Sequence, residues 1–275
     1  MDNIRSSLSR SKRIVIKVGT STLTYENGKV NFTRIDKLAR VIADLANQGR
    51  EVVLVTSGAI GVGVGKLKLP ERPKTLRDKQ AVAAVGQCEL MHIYSKFFSD
   101  YGHIVGQILL TRDVVGDKTG SRNVINTFET LLEKGIIPVV NENDSVSVVE
   151  IGKSHTFSEN DTLSAIVAKL IKADLLILLS DIEGFYDCDP RENKNARMLS
   201  VVECITPDIE EYAGGVGTKR GTGGMATKLK AAKIATLAGV NVVLSCGDQP
   251  ETILDIINGK DVGTIFLSQK QQEVL

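Results

Sequence analysis

Tryptophan is absent from this chain, and aromatic residues together make up only 4% of its 275 residues. So few flat side chains leave little surface on which nucleic-acid bases could stack. An excess of charge of either sign is also missing: 34 lysines and arginines face 33 aspartates and glutamates, for a formal net charge of +1. Such a balance creates no long-range field toward nucleic acid or a membrane surface. The four cysteines, Cys88, Cys188, Cys204 and Cys246, form no CxxC pair, and His92, His103 and His155 stand far apart in sequence. That spacing argues against zinc and against a disulfide framework, and fits a reducing cytoplasm. The apolar run at 175–179 is far too short to span a bilayer. Residues 1–12 are rich in Ser and Arg and lack the apolar core of a secretory signal, so they read as a short disordered tail.

What is present is ordinary globular material, 42% hydrophobic and 24% charged, enough for one large α/β domain or two small ones. Strand patterns at 13–19, 51–55, 104–110, 136–140, 175–179, 240–244 and 263–267 alternate with helical ones. The helices run from a Thr33 cap (with Asp36 as its acid) to Gly49, then over 80–101, 122–134, 160–172, 225–238 and 251–257. Gly49, Gly102, Gly135, Gly239 and Gly259 stand where these helices stop. The segment 145–157 reads as a hairpin, and any division into lobes falls near Ala173. Strand, helix, glycine, strand predicts a mostly parallel sheet with helices on both faces.

In such sheets ligands gather at the carboxyl ends of the strands. Here those ends are 17–21, 56–61, 141–144, 180–184 and 245–248, all rich in Gly, Ser, Asn and Asp. The stretch GTGGMATK at 221–228 runs straight into a helical pattern. Its glycines allow close backbone approach, the helix start offers unpaired N–H groups, Thr222 can bond a phosphate oxygen and Lys228 adds a full charge. It reads either as a phosphate loop or as a surface loop before an amphipathic helix; one glycine cluster alone does not choose. It is not a P-loop. The nearest match to one ends at Gly65-Lys66, but Ile60 holds the place of the first glycine and Leu67 follows the lysine. Gly61, Gly63 and Gly65 are spaced two apart, which excludes a dinucleotide fingerprint.

Lys17 lies inside an apolar strand, where a lysine either reaches to a rim or serves a site. Asp161 opens a helix, as a cap acid or as a bridge between the two lysines, and one residue can do both. Lysines, glycine N–H groups and aspartates along one edge suit phosphoryl transfer, in which catalysis is largely positioning and charge stabilisation. No histidine is placed as a base. A carboxylate acceptor is ionised at neutral pH and needs none, so the edge fits a carboxylate acceptor better than an alcohol.

Read together, IVIKVGTSTLT at 14–24, VTSGAIGVG at 55–63, NENDSV at 141–146, FSENDTLSA at 157–165, LLSDIEGFYDCDPR at 178–191 and GTGGMATKLKAA at 221–232 resemble, in that order, the amino acid kinase family. NEND with GTGGMATK resembles the branch acting on free glutamate, not those acting on aspartate, carbamate, UMP or acetylglutamate. The resemblance implies a three-layer αβα sandwich around a mainly parallel sheet of about eight strands. It implies phosphoryl transfer from ATP, with Mg2+ carried mainly by the ATP phosphates, to the side-chain carboxylate of L-glutamate. The product would be L-glutamyl 5-phosphate, the first step of proline biosynthesis.

By the same resemblance, Lys17 and Lys228 stabilise the transferring phosphoryl group, Asp161 orients them, and Gly19 and Gly58 offer backbone N–H groups. Ser57, Asp144 and Asn160 hold glutamate, Asp144 suiting the ammonium and Ser57 and Asn160 a carboxylate. Lys17, Ser180, Asp181, Lys219 and the run Thr222, Gly223, Gly224, Met225, Ala226, Thr227 and Lys228 hold ATP. Residues 13–173 are expected to form the amino-acid lobe and 174–270 the nucleotide lobe. Many relatives continue into a C-terminal PUA domain; none is expected here, and Ala226 stands where Ser is common. The implied partners are proline as feedback inhibitor, glutamyl phosphate reductase as acceptor of a labile product, and further copies of the chain in a dimer or tetramer. A sibling kinase of another small carboxylate or carbamate, and a non-catalytic binding protein on the same fold, are the rival readings. The presence of Lys17, Asp161 and Lys228 together speaks against the second.

Overall fold

A computed structural model describes residues 2–25, 29–146, 149–150, 153–154, 160–214 and 224–269. Its strands are β1 (Arg13–Val18), β2 (Glu51–Val55), β3 (Val105–Leu110), β4 (Ile137–Glu142), β5 (Val149–Glu150), β6 (Lys153–Ser154), β7 (Leu175–Ser180), β8 (Val201–Val202), β9 (Asn241–Cys246) and β10 (Thr264–Phe266). Its helices are α1 (Asp2–Ser6), α2 (Thr20–Leu23), α3 (Phe32–Asn47), α4 (Ala59–Leu67), α5 (Leu76–Asp100), α6 (Arg112–Gly116), α7 (Lys118–Glu133), α8 (Asn160–Leu170), α9 (Pro207–Tyr212), α10 (Gly224–Leu237) and α11 (Thr252–Ile257). The main sheet has eight strands in the order β3-β4-β2-β1-β7-β9-β10-β8. The first six of that order are mutually parallel; β10 runs antiparallel to β9 and carries β8 parallel to itself.

The central strands are apolar on both faces because helices cover both. Every residue of β7, LLILLS, is buried, as a strand between two helical layers requires. Side chains alternate along β1. Ile14, Ile16 and Val18 join one core with Ile35, Leu38, Tyr94 and Phe98 from α3 and α5. Val15 joins the other with Phe128, Leu163 and Leu229 from α7, α8 and α10. The three-layer αβα sandwich and the mainly parallel sheet expected from the sequence are therefore what the chain forms. On one side of β1 the sheet continues to β2, on the other to β7. This switch point opens a crevice at the carboxyl ends of β1 and β7, where open α/β sheets place their ligands.

Several local expectations are corrected. Asn31, not Thr33, caps α3: its side-chain oxygen accepts from the Arg34 N–H at 3.0 Å, and Asp36 instead accepts from the Tyr101 hydroxyl at 2.9 Å. Helix α5 begins at Leu76 behind a Thr75 cap, because exposed residues in its first turn carry no apolar period. Helix α7 likewise starts at Lys118, behind an Asp117 cap that accepts from the Gly120 N–H at 2.7 Å. Residues 59–67 form a helix that the glycine pattern hides. The glycines are there for packing: a Cβ on Gly63 would stand 2.2 Å from the Val82 carbonyl, and one on Gly86 1.7 Å from that of Ala59. Only bare backbone lets α4 and α5 lie so close. Within the stretch 145–157 read as a hairpin, β5 and β6 pair antiparallel; residues 147–148, 151–152 and 155–157 lie outside the described residues.

The N-terminal residues are folded, contrary to the reading of a disordered tail. Arg5 is buried, and its guanidinium donates to the carbonyls of Ser200, Val262 and Gly263, each at 2.9 Å. Five donors in a planar fork can satisfy several converging carbonyls at once.

Candidate active site

The alternation that puts Val15 under α8 and α10 also puts Lys17 there, at the carboxyl end of β1. Both helices deliver a partner. Asp161, in the first turn of α8, lies with Oδ1 2.6 Å from Lys17 Nζ and Oδ2 3.2 Å from Lys228 Nζ of α10. The aspartate side chain is 2% exposed and the lysines 9% and 12%. The contact between Oδ1 and the Lys17 ammonium is a short, buried ion pair. Burial works against the Asp161 carboxylate, but the two ammonium groups outweigh it and hold its pKa below the usual carboxylate range. One buried anion thus fixes two cations at one end of the sheet, as the bridging reading of Asp161 anticipated.

Two glycine turns border this triad. Gly58 caps α4 with φ of +93°, a left-handed conformation that favours glycine. The turn leaves the first N–H groups of α4 free of helical partners. Gly19 follows β1, and a Cβ added to it would lie 3.5 Å from Lys17 Nζ. A glycine there keeps open the space beside the ammonium.

Toward β3 and β4 lies a cavity of about 350 Å³, with Ala59, Gln87, Gln107, Glu142 and Asp144 in its wall. Burial and the neighbouring Glu142 push the Asp144 pKa up to about 6. The two carboxylates of Glu142 and Asp144 in its wall suit a positively charged group. Ser57 donates to the Val18 carbonyl at 3.1 Å, tying the ends of β1 and β2 together.

Asn160 departs from its expected role. Its amide nitrogen donates to the Thr56 carbonyl at 2.8 Å and to Asn141 Oδ1 at 2.9 Å. Asn141 Oδ1 also accepts from the Glu142 backbone N–H, which fixes the orientation of both amides. With its N–H groups so engaged, the Asn160 side chain offers a ligand its oxygen. It is therefore an acceptor, not the carboxylate donor read from the sequence. Asn141 and Glu142 lie inside the NEND motif that pointed to this edge. Gln87, mid-way along α5, carried no signal in the sequence.

On the other side of the switch point, Ser180 ends β7 and donates to Asp181 Oδ1 at 3.0 Å. A second cavity, about 360 Å³, is lined by Tyr186, Cys188, Pro190, Tyr212 and Met225 among others. Gly224, Met225, Ala226 and Thr227 form the first turn of α10, with Thr227 Oγ1 donating to the Gly224 carbonyl at 2.9 Å. Lys219, Thr222 and Gly223 lie outside the described residues. No described helix is long and apolar enough to cross a membrane.

The profile described as "Amino acid kinase family" matches residues 12–244. A glutamate 5-kinase of Clostridium perfringens (strain 13 / Type A) is 62% identical over 267 residues, covering 97% of this chain and 99% of that protein. One from Listeria innocua is 57% identical over 269 residues, covering 98% of each. Among solved structures, the carbamate kinase from Giardia lamblia bound to AMP-PNP has a TM-score of 0.67 at 17% identity, covering 95% of this chain and 100% of the other. A UMP kinase from Bacillus anthracis has a TM-score of 0.63, also at 17% identity, covering 94% and 97%. These two share the fold.

Proposed function

The chain belongs to the amino acid kinase family, and we propose that it transfers the γ-phosphoryl group of ATP to the side-chain carboxylate of L-glutamate. The observation that carries this reading is the buried Lys17–Asp161–Lys228 triad at the sheet's switch point, in a chain 62% identical to a glutamate 5-kinase over nearly its whole length.

In the proposed step, a γ-carboxylate oxygen forms a bond to the γ-phosphorus and the bond from that phosphorus to the bridging oxygen breaks. ADP leaves with the electron pair. Charge spreads over the transferring oxygens, and Lys17 and Lys228 neutralise it while the Gly19 and Gly58 turns present N–H groups. Asp161 positions the lysines and does not act as a base, since the acceptor is already ionised. Asp144, Ser57 and Asn160 hold glutamate, with the Asp144 carboxylate facing the ammonium. Ser180, Asp181, Lys219 and the run 222–228 hold the nucleotide, whose adenosine end fits the cavity lined by Tyr186 and Tyr212. Residues 13–173 then serve the amino acid and 174–270 the nucleotide. Mg2+ fits as a companion of the phosphates, neutralising their charge; among the described residues no three acidic, His or Cys side chains gather into a metal cage. Proline as feedback inhibitor, a reductase receiving the acyl phosphate, homo-oligomeric assembly and a cytoplasmic location belong to the same reading.

The test is ADP release from ATP and Mg2+ with and without L-glutamate, with hydroxylamine trapping the acyl phosphate. Glutamate-dependent release with matching hydroxamate, lost in Lys228→Ala, is the expected result. Release that ignores glutamate would contradict the reading.

A further inference from the structure

Gln87 is 8% exposed and lines the cavity that also holds Glu142 and Asp144. Its Oε1 accepts from Asn141 Nδ2 at 2.8 Å. That orientation cannot be reversed: Asn141 Oδ1 already accepts from the Glu142 backbone N–H, so its nitrogen must face Gln87, and Gln87 must answer with its oxygen. The Gln87 amide nitrogen is thereby turned away from Asn141, and it is a buried donor with no partner. An orphaned buried N–H group is costly unless a ligand supplies the missing acceptor.

The cavity's chemistry indicates which acceptor. Neither lysine of the triad nor Asp161 lines it, so on the proposed function it receives the end of glutamate that does not react. That end carries an ammonium and a carboxylate. Glu142 and Asp144 suit the ammonium and repel the carboxylate, which therefore needs a donor of its own. Of the other amides in the wall, Asn143 is partly exposed and Gln107 exposed, so water can serve their N–H groups when the site is empty, whereas the Gln87 amide nitrogen is buried without a partner.

We propose that Gln87 is a specificity-determining residue whose side-chain N–H donates to the α-carboxylate of the bound amino acid. The inference rests on the glutamate kinase reading. The same side chain, through Asn141, also braces Asn160, the residue before Asp161, so it links recognition of the substrate's far end to the triad.

Gln87→Glu is the discriminating variant. It keeps an oxygen for Asn141 Nδ2 and nearly the same shape, replaces the orphan donor by an acceptor, and adds a negative charge to the wall that holds Glu142 and Asp144. The expected result is a KM for L-glutamate raised on the order of 10- to 100-fold, with kcat and KM for ATP close to wild type and Tm lowered by the added buried carboxylate. L-isoglutamine, which keeps the γ-carboxylate but has a carboxamide in place of the α-carboxylate, should compete with glutamate at least as well in the variant as in wild type. An unchanged KM for glutamate would overturn the proposal, and so would equal weakening of glutamate and isoglutamine. A wild-type readout needs no variant: with 15N-labelled glutamine, the Gln87 side-chain amide protons should move downfield on adding L-glutamate, and no movement overturns the proposal. If wild type itself releases no ADP in response to glutamate, the kinase reading has failed, and that failure is distinct from a Gln87 effect.

Discussion

Asp161 sits between Lys17 and Lys228, so its removal does two kinds of damage. Asp161→Ala leaves two poorly exposed ammonium groups without their shared anion, at a cost of about 3–5 kcal/mol. Lys228→Ala leaves Asp161 paired with Lys17 and should cost less stability, while kcat falls by about two to three orders of magnitude. Urea titration of both variants checks the order. Asp144 makes a prediction of the opposite sign. Its pKa is raised from 3.8 to about 6, so the folded protein binds this proton more tightly than the unfolded chain does. Stability from this group is therefore present at low pH and lost as pH rises through that window. Asp144→Asn should be more stable than wild type at pH 7.5, by about 1 kcal/mol once solvent screening is allowed for, and equal to it below pH 4. Wild-type affinity for L-glutamate should weaken as pH falls below about 6, where the carboxylate facing the ammonium is neutralised. Thermal melts and KM across pH 5–8 read both effects. At this scale the triad was legible: a lysine inside an apolar strand and an acid opening a helix are unusual enough to register. Gln87 was not, since its meaning lies in which way Asn141 turns it, and only the backbone N–H of Glu142 decides that.

The elements that carry the site are set by close packing. Gly86→Ala would place a methyl group 1.7 Å from the Ala59 carbonyl, so α4 and α5 must part. The expected loss is about 3 kcal/mol, together with a fall in kcat, because Ala59 follows the Gly58 turn. Gly116→Ala, with nothing within 4 Å of the added carbon, should stay within about 0.5 kcal/mol of wild type. Comparing Tm and kcat for the two variants checks the claim. The sheet strands were readable because burial on both faces demands unbroken apolar runs such as 175–179. Helix α4 was not, because glycine lowers helix propensity and the compensation comes from α5, a distant partner.

For the molecule as a whole, Arg5 fastens the N-terminal helix to the far edge of the sheet through carbonyls at Ser200, Lys260, Val262 and Gly263. Burial lowers its pKa, and Asp261 at 2.9 Å opposes that. Arg5→Ala should lower stability by about 2–3 kcal/mol with KM for ATP and glutamate unchanged, and Arg5→Lys should not restore it, a point charge being unable to fork. Residues 1–12 looked disordered in sequence because the described partners of the Arg5 guanidinium lie more than 190 residues away. The sandwich and its polar edge, by contrast, follow from an alternation written along the whole chain. What that edge does is tested most directly by the origin of one oxygen atom. With L-glutamate labelled with 18O in its γ-carboxylate, ATP, Mg2+ and hydroxylamine, the phosphate released by attack of hydroxylamine on the acyl carbon is followed by 31P NMR. Attack by the carboxylate on phosphorus predicts one 18O per phosphate; phosphate carrying none would mean that water, not glutamate, receives the phosphoryl group.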